Sequence, residues 1–223
     1  MRKIVYLFTI FLAINCKSQV KKEKTIEKKD SMEYLDTKDY ESLMKNPVFA
    51  SYGYYISSEG DKVQVYRGTN NIGFIKRIEK KDSPYAIFKV FHENGKLQLE
   101  GLSFYDNNYG IQKEYDELGN LIKETNYDLP YKYTIEDLAT KMNNQYQIDI
   151  YNIKQIHSIR RYEEKKHLKI PLYEVWSYHK TNPLKLTCYI INGTTGETIY
   201  EGERFIEGKQ GSLLDQYLKI KNK

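Results

Sequence analysis

The sequence predicts a β-rich α+β fold: an antiparallel sheet of repeated hairpins, followed by a helix packed on an antiparallel meander. Three observations carry this. A seven-residue pattern recurs at an offset of 24 residues, with glycine at the same place in both copies. A capped helical segment near residue 134 is followed by three strand-like runs joined by turn sequences. Finally, 22 of the 223 residues are tyrosine, which suits strands with one wet face because the ring packs while the hydroxyl reaches water.

The chain opens with Arg2 and Lys3, an apolar run over residues 4–14 broken only by Tyr6 and Thr9, and then Cys16. A cationic start and an apolar core of this length form an export signal. The run is far shorter than the ~20 residues that span a bilayer. Leu12-Ala13-Ile14-Asn15-Cys16 resembles a bacterial lipobox, although Asn15 departs from the Gly, Ala or Ser usual before the cysteine. Cys16-Lys17-Ser18-Gln19 is similar to the mature start of Bacteroidetes-type lipoproteins. The resemblance implies a signal peptide over residues 1–15 and lipidation of Cys16. It implies a cell-envelope location, anchored to the outer membrane on its periplasmic or surface face. Several acyl chains on one cysteine hold a protein stably where a single chain does not. Residues 17–31 are charged, with only Val20 and Ile26 apolar, and read as a flexible tether. The lipidated N-terminus and tether are assigned to residues 16–35, with folding expected from near Asp36.

Without residues 1–15 the chain keeps 208 residues and its net charge falls from +5 to +3. That length suits one elongated domain or two small ones, and so mild and interleaved a charge gives no argument for a nucleic-acid partner. With Cys16 lipidated, Cys188 has no disulfide partner. Its place in Leu186-Thr187-Cys188-Tyr189-Ile190 marks it as a buried thiol with a raised pKa, the wrong direction for a nucleophile.

Residues 36–129 read as one β-rich domain. Residues 36–45 form a short capped helix stopped by Asn46-Pro47, and from Val48 the period changes to two. Val63 and Val65, then Phe74, Ile75 and Ile78, lie in runs broken by Gly60, Gly68 and Gly73. Residues 85–91 are rich in aromatic and β-branched side chains and read as the strongest strand. Phe91-His92-Glu93-Asn94-Gly95-Lys96-Leu97 then matches Tyr115-Asp116-Glu117-Leu118-Gly119-Asn120-Leu121. In each copy an aromatic ends a strand, glycine takes a turn position needing φ > 0, and leucine starts the return strand. A fainter third copy lies near Tyr66 to Ile75. The pattern resembles the variant MORN repeat, aromatic-x-x-x-Gly-Lys-Leu, over about residues 85–127. The resemblance implies a sheet used as a scaffold or contact surface.

Residues 130–205 read as a second, α+β module. Thr134-Ile135-Glu136-Asp137 has the form of a capping box, and Ile135, Leu138 and Met142 share one helix face up to about Asn143-Asn144. Residues 153–162 read as a strand. Residues 172–179, 184–191 and 197–201 form a meander through Lys180-Thr181-Asn182-Pro183 and Asn192-Gly193-Thr194-Thr195-Gly196. Pro171-Leu172-Tyr173-Glu174-Val175 with the Thr-Gly-Glu at 195–197 resembles the PepSY pattern over about residues 132–202. That resemblance implies an envelope-located binding or inhibitory module and brings no catalytic residues. Residues 206–223 hold a short amphipathic helix and tail.

No catalytic constellation emerges, and no catalytic or metal-binding residue is assigned. His92, His157, His167 and His179 are isolated, with no His-Glu-x-x-His spacing. His92 occupies a turn position, and His179 lies at an exposed strand end. Asp106-Asn107-Asn108-Tyr109-Gly110 looks like half a calcium loop but lacks the distal glutamate. Glu163-Glu164 reads as a solvated loop. Exposed sheet aromatics such as Tyr105, Tyr109 and Trp176 are the first candidates for contact, with core packing the simpler role for Trp176; the binding residues stay unassigned. The expectation is a non-enzymatic envelope lipoprotein that binds a protein or peptide, inhibitor- or immunity-like, with no cofactor. A structural component of an envelope complex and an enzyme on polysaccharide remain the alternatives.

Overall fold

The computed structural model describes residues 33–69, 72–208 and 211–221. The expected anchor at Cys16 and the tether over 17–31 lie outside the described residues. From Met32 onward the chain forms one compact unit.

The fold is α+β and β-rich, built on two antiparallel sheets. Helices α1 (Thr37–Met44) and α2 (Pro47–Tyr52) precede strands β1 (Tyr54–Ile56), β2 (Lys62–Arg67), β3 (Ile72–Glu79), β4 (Tyr85–His92), β5 (Leu97–Phe104), β6 (Asn107–Tyr115) and β7 (Leu121–Asn126), which pair in chain order as a seven-stranded meander. Helix α3 (Ile135–Tyr146) leads into β8 (Ile156–Glu164), β9 (Ile170–Tyr178), β10 (Lys185–Asn192) and β11 (Thr198–Phe205), a four-stranded meander, and α4 (Leu213–Lys221) follows. Among the described residues no helix is long and apolar enough to cross a membrane.

Asp36 caps α1 through a reciprocal capping box with Asp39. Ordered packing starts before it. Glu33 takes Lys76 (2.8 Å) and Lys89 as partners, Leu35 is buried, and the Leu35 N–H donates to Gly95 O at 2.9 Å. The period-two reading from Val48 is corrected by α2. Asn46 caps it by accepting from the Val48 and Phe49 N–H groups, Pro47 sits at the helix start, and Gly53 ends it at φ +69. Proline at the first helical position loses no bond, since that N–H would be unpaired anyway; Asn46-Pro47 therefore stops one helix and starts the next. Phe49 seals the first core with Val63, Val65, Phe74, Phe91 and Leu97.

The repeated heptads are the β4–β5 and β6–β7 turns. Gly95 and Gly119 have φ of +84 and +96, and their N–H groups donate to His92 O and Asp116 O at 2.9 Å. The two turns are bonded side by side: His92 Nε2 lies 3.0 Å from Tyr115 O, Asn94 Nδ2 donates to Glu117 O (3.2 Å) and Lys96 Nζ to Leu118 O (3.3 Å). The fainter third copy is the β2–β3 hairpin, closed by Gly68 N–H to Gly73 O at 3.2 Å.

The capping box of α3 forms between Thr134 and Asp137, but the helix runs past Asn143-Asn144 to Tyr146 and ends at Gln147, φ +57. The strand expected over residues 153–162 begins only at Ile156, because Asn152 accepts the Lys154 N–H (3.0 Å) and turns the chain first. One face of the four-stranded sheet packs α3: Ile159, Tyr173, Val175, Tyr189 and Ile191 meet Ile135, Leu138 and Met142. The other face packs Leu172, Leu186, Cys188 and Ile190 against Leu213 of α4. Covered on both sides, β9 and β10 carry near-continuous apolar runs instead of an alternation.

Candidate functional site

An opening beside the four-stranded sheet follows from unequal lengths. The 12 residues of α3 make a rod of about 18 Å. The nine residues of β9 reach about 30 Å. The sheet therefore extends beyond the helix that covers it, leaving a groove of about 620 Å³. Tyr146, Gln147 and Ile148 line it from the helix end, and Ser177, Thr187 and Tyr189 supply the strand surface. Lys154 and Gln155 reach it from the α3–β8 loop, and Tyr178, His179, Lys180 and Thr181 from the β9–β10 turn. The size lies in the range of small-ligand pockets.

Its aromatic wall is preorganised. The Tyr146 and Tyr189 rings are 4.3 Å apart, and the Tyr146 hydroxyl donates to Thr198 Oγ1 at 2.9 Å. Burial pushes the Tyr189 hydroxyl well above its ordinary pKa, with Glu201 adding to the effect, so it stays a neutral phenol. Tyr178 is 46% exposed and meets His157 edge-on at 5.8 Å. Gln147 holds a left-handed φ that L-residues adopt at a cost of about 1–2 kcal/mol.

His179 is part of the turn. Its Nδ1 accepts the Thr181 N–H (3.2 Å) and the Asn182 N–H (3.0 Å), which places the proton of the neutral ring on Nε2, 3.2 Å from Glu203 Oε1. Both nitrogens are thus engaged, and the ring locks the loop that carries Lys180. Ser177 gives its proton to Thr187 O at 3.2 Å. The groove offers a contact surface with two ammonium groups, Lys154 and Lys180; Lys180 Nζ donates to Tyr146 O at 3.3 Å.

The aromatics singled out in the sequence lie elsewhere. Tyr105 and Tyr109 pack into the seam between the two sheets. The Tyr105 hydroxyl donates to Ile150 O at 3.0 Å, and Tyr109 approaches Glu136 at 3.4 Å. Trp176 packs against the α4 core, with the Arg204 guanidinium 4.8 Å from its ring. The segment Asp106–Gly110 opens as a two-residue hairpin turn, with Tyr105 and Asp106 at φ +46 and +63 and Asp106 paired to Arg77. Cys188 is buried, and burial pushes its thiol up to about 12. Glu164, expected in a solvated loop, is buried instead. Sequence reasoning missed Tyr146, Lys154, Tyr178, Lys180 and Tyr189 as neighbours. The only signal for them was their position at helix ends and turns, which does not say that they face one another. Comparison with protein-family models, curated proteins and solved structures finds no match for this chain.

Proposed function

We propose that the chain is a non-enzymatic cell-envelope lipoprotein whose C-terminal sheet presents a binding groove to a protein or peptide. The observation that carries this reading is the groove beyond α3, with its exposed Tyr178 and its rigid tyrosine wall. Aromatic side chains that present contact area at low entropy cost are what protein-binding surfaces favour. The N-terminal signal followed by Cys16 supports anchorage by lipid, and residues 17–31 give the folded unit reach from the bilayer.

Two measurements test this. Replacing Cys16 with serine moves the protein from the membrane to the soluble fraction; retention on the membrane removes the anchor from the proposal. A photo-crosslinking amino acid at Tyr178, in cells that make the protein, traps a single discrete adduct. The same probe at Leu118, 78% exposed in the β6–β7 turn, traps none. Failure of the Tyr178 probe, or the same adduct from both positions, overturns the groove as the contact site.

A further inference from the structure

The charge of the groove says which part of a partner it takes. Among the described residues twelve line it and none is acidic, in a chain with 30 Asp and Glu. Two are lysines, on separate loops. Lys154 forms no ion pair among the described residues. Among the described residues Lys180 Nζ makes one bond, to Tyr146 O at 3.3 Å, and an ammonium has three N–H donors. Two carboxylates of neighbouring segments already have partners, and Glu201, which acts on the Tyr189 hydroxyl, lies outside the lining. Glu203 is held by Lys185 at 2.8 Å and by His179. Asp149 accepts the Tyr151 N–H at 2.9 Å. No lining carboxylate answers the two ammonium groups, which share the groove with Tyr146, Ile148 and Tyr178. The end of α3 lines the groove at Gln147 and Ile148, and a chain end brings the free carboxylate that an internal, neutral stretch of backbone lacks.

We propose that the groove captures the C-terminal end of a peptide chain, with its free carboxylate on Lys154 and Lys180 and its last apolar side chain against the tyrosines. Capture of a chain end by its charged group is an established mode of peptide recognition, and charge-assisted bonds are roughly twice as strong as neutral ones. The proposal rests on the groove being the partner site, as argued above.

The test uses the full-length chain in detergent and a fluorescein-labelled tetrapeptide, Ala-Ala-Tyr-Leu, as the free acid and as the C-terminal amide, read by fluorescence anisotropy. The free acid binds at least tenfold more tightly than the amide, and the difference shrinks at high salt. In the double variant Lys154→Gln, Lys180→Gln the two forms bind within twofold of one another, with an unchanged melting temperature showing that the fold is kept. Equal binding of acid and amide by the unaltered protein overturns the proposal. So does a preference that survives in the double variant, or displacement of the peptide by trigalacturonate at the same concentration as by unlabelled free acid, which would assign the site to an acidic sugar. If Tyr178 still crosslinks a partner in cells while acid and amide bind equally, the groove stands as the contact site and the carboxylate assignment falls. If neither experiment succeeds, both fall.

Discussion

Glu164 closes β8 with its backbone and the following loop with its side chain. Its carboxylate accepts the N–H groups of Lys166 (2.9 Å), His167 (2.8 Å), Leu168 and Lys169 (3.2 Å). Burial opposes its ionisation, but the four donors outweigh that and lower its pKa from 4.5 to about 2. The folded-state pKa is depressed, so the stabilisation is complete above about pH 4.5 and is lost as the pH falls through about 2. Glu164→Gln keeps the shape and removes the charge, and is expected to cost about 2 kcal/mol at pH 7. Denaturant titrations of both proteins should show that gap closing between pH 4.5 and 2; a constant gap would assign the loss to packing. The role was illegible in the sequence because it depends on a loop conformation, with Lys169 at φ +55, that aims consecutive N–H groups at one point. Cys188 was legible because its apolar neighbours along the strand already decide its burial.

At the scale of elements, the periodic parts of the chain were readable and the junctions were not. Both glycine turns, the capped start of α1, the capping box of α3 and the C-terminal meander follow local rules, with their causes a few residues away. Helix α2 was hidden because Pro47 is a stop signal for α1 and a start signal for α2. The groove was hidden because it exists only where β9 and β10 outrun α3, a difference of lengths between elements far apart in sequence. The repeat turn gives the clearest element-level prediction. Gly95 has φ +84, and a Cβ there would lie 2.6 Å from the Tyr34 ring. Gly95→Ala therefore meets both a backbone penalty of about 1–2 kcal/mol and a ring that must move. We expect a loss of at least about 2 kcal/mol in denaturant unfolding. Tyr34→Ala in the same chain removes the clash and leaves the backbone term, so the double variant should be more stable than the two single losses added together. Strict additivity would show that the ring does not rest on the turn.

For the molecule from Met32 onward, the two sheets share a core. Phe104, at the end of β5, is fully buried among residues of the α3 core, with its ring 5.1 Å from Tyr85 and 6.3 Å from Tyr151. Burying such a ring contributes roughly 1.5–3 kcal/mol. Asn107 then joins the β5–β6 turn to the edge of β8: its Nδ2 donates to Ile159 O at 2.8 Å and its Oδ1 accepts the Arg161 N–H at 3.0 Å. The Arg161 side chain is 3% exposed. It pairs with Asp128 at 2.7 Å, donates to Tyr127 O at 3.1 Å, and places its guanidinium 4.1 Å from the Tyr131 ring centroid. A buried guanidinium tolerates this only with its donors met and an aromatic face beside it. The seam is therefore specific in its polar groups as well as apolar, and the sheets should unfold together. Asn107→Asp tests this with almost no change of shape. It turns the donor that now serves Ile159 O, Phe104 O and Tyr105 O into an acceptor facing three acceptors. A loss of about 2 kcal/mol or more is expected. Amide exchange should rise in β8 and, to the same degree, in the core around Phe49 and Phe91. Loosening of β8 alone, with the first core unchanged, would mean that the sheets unfold separately.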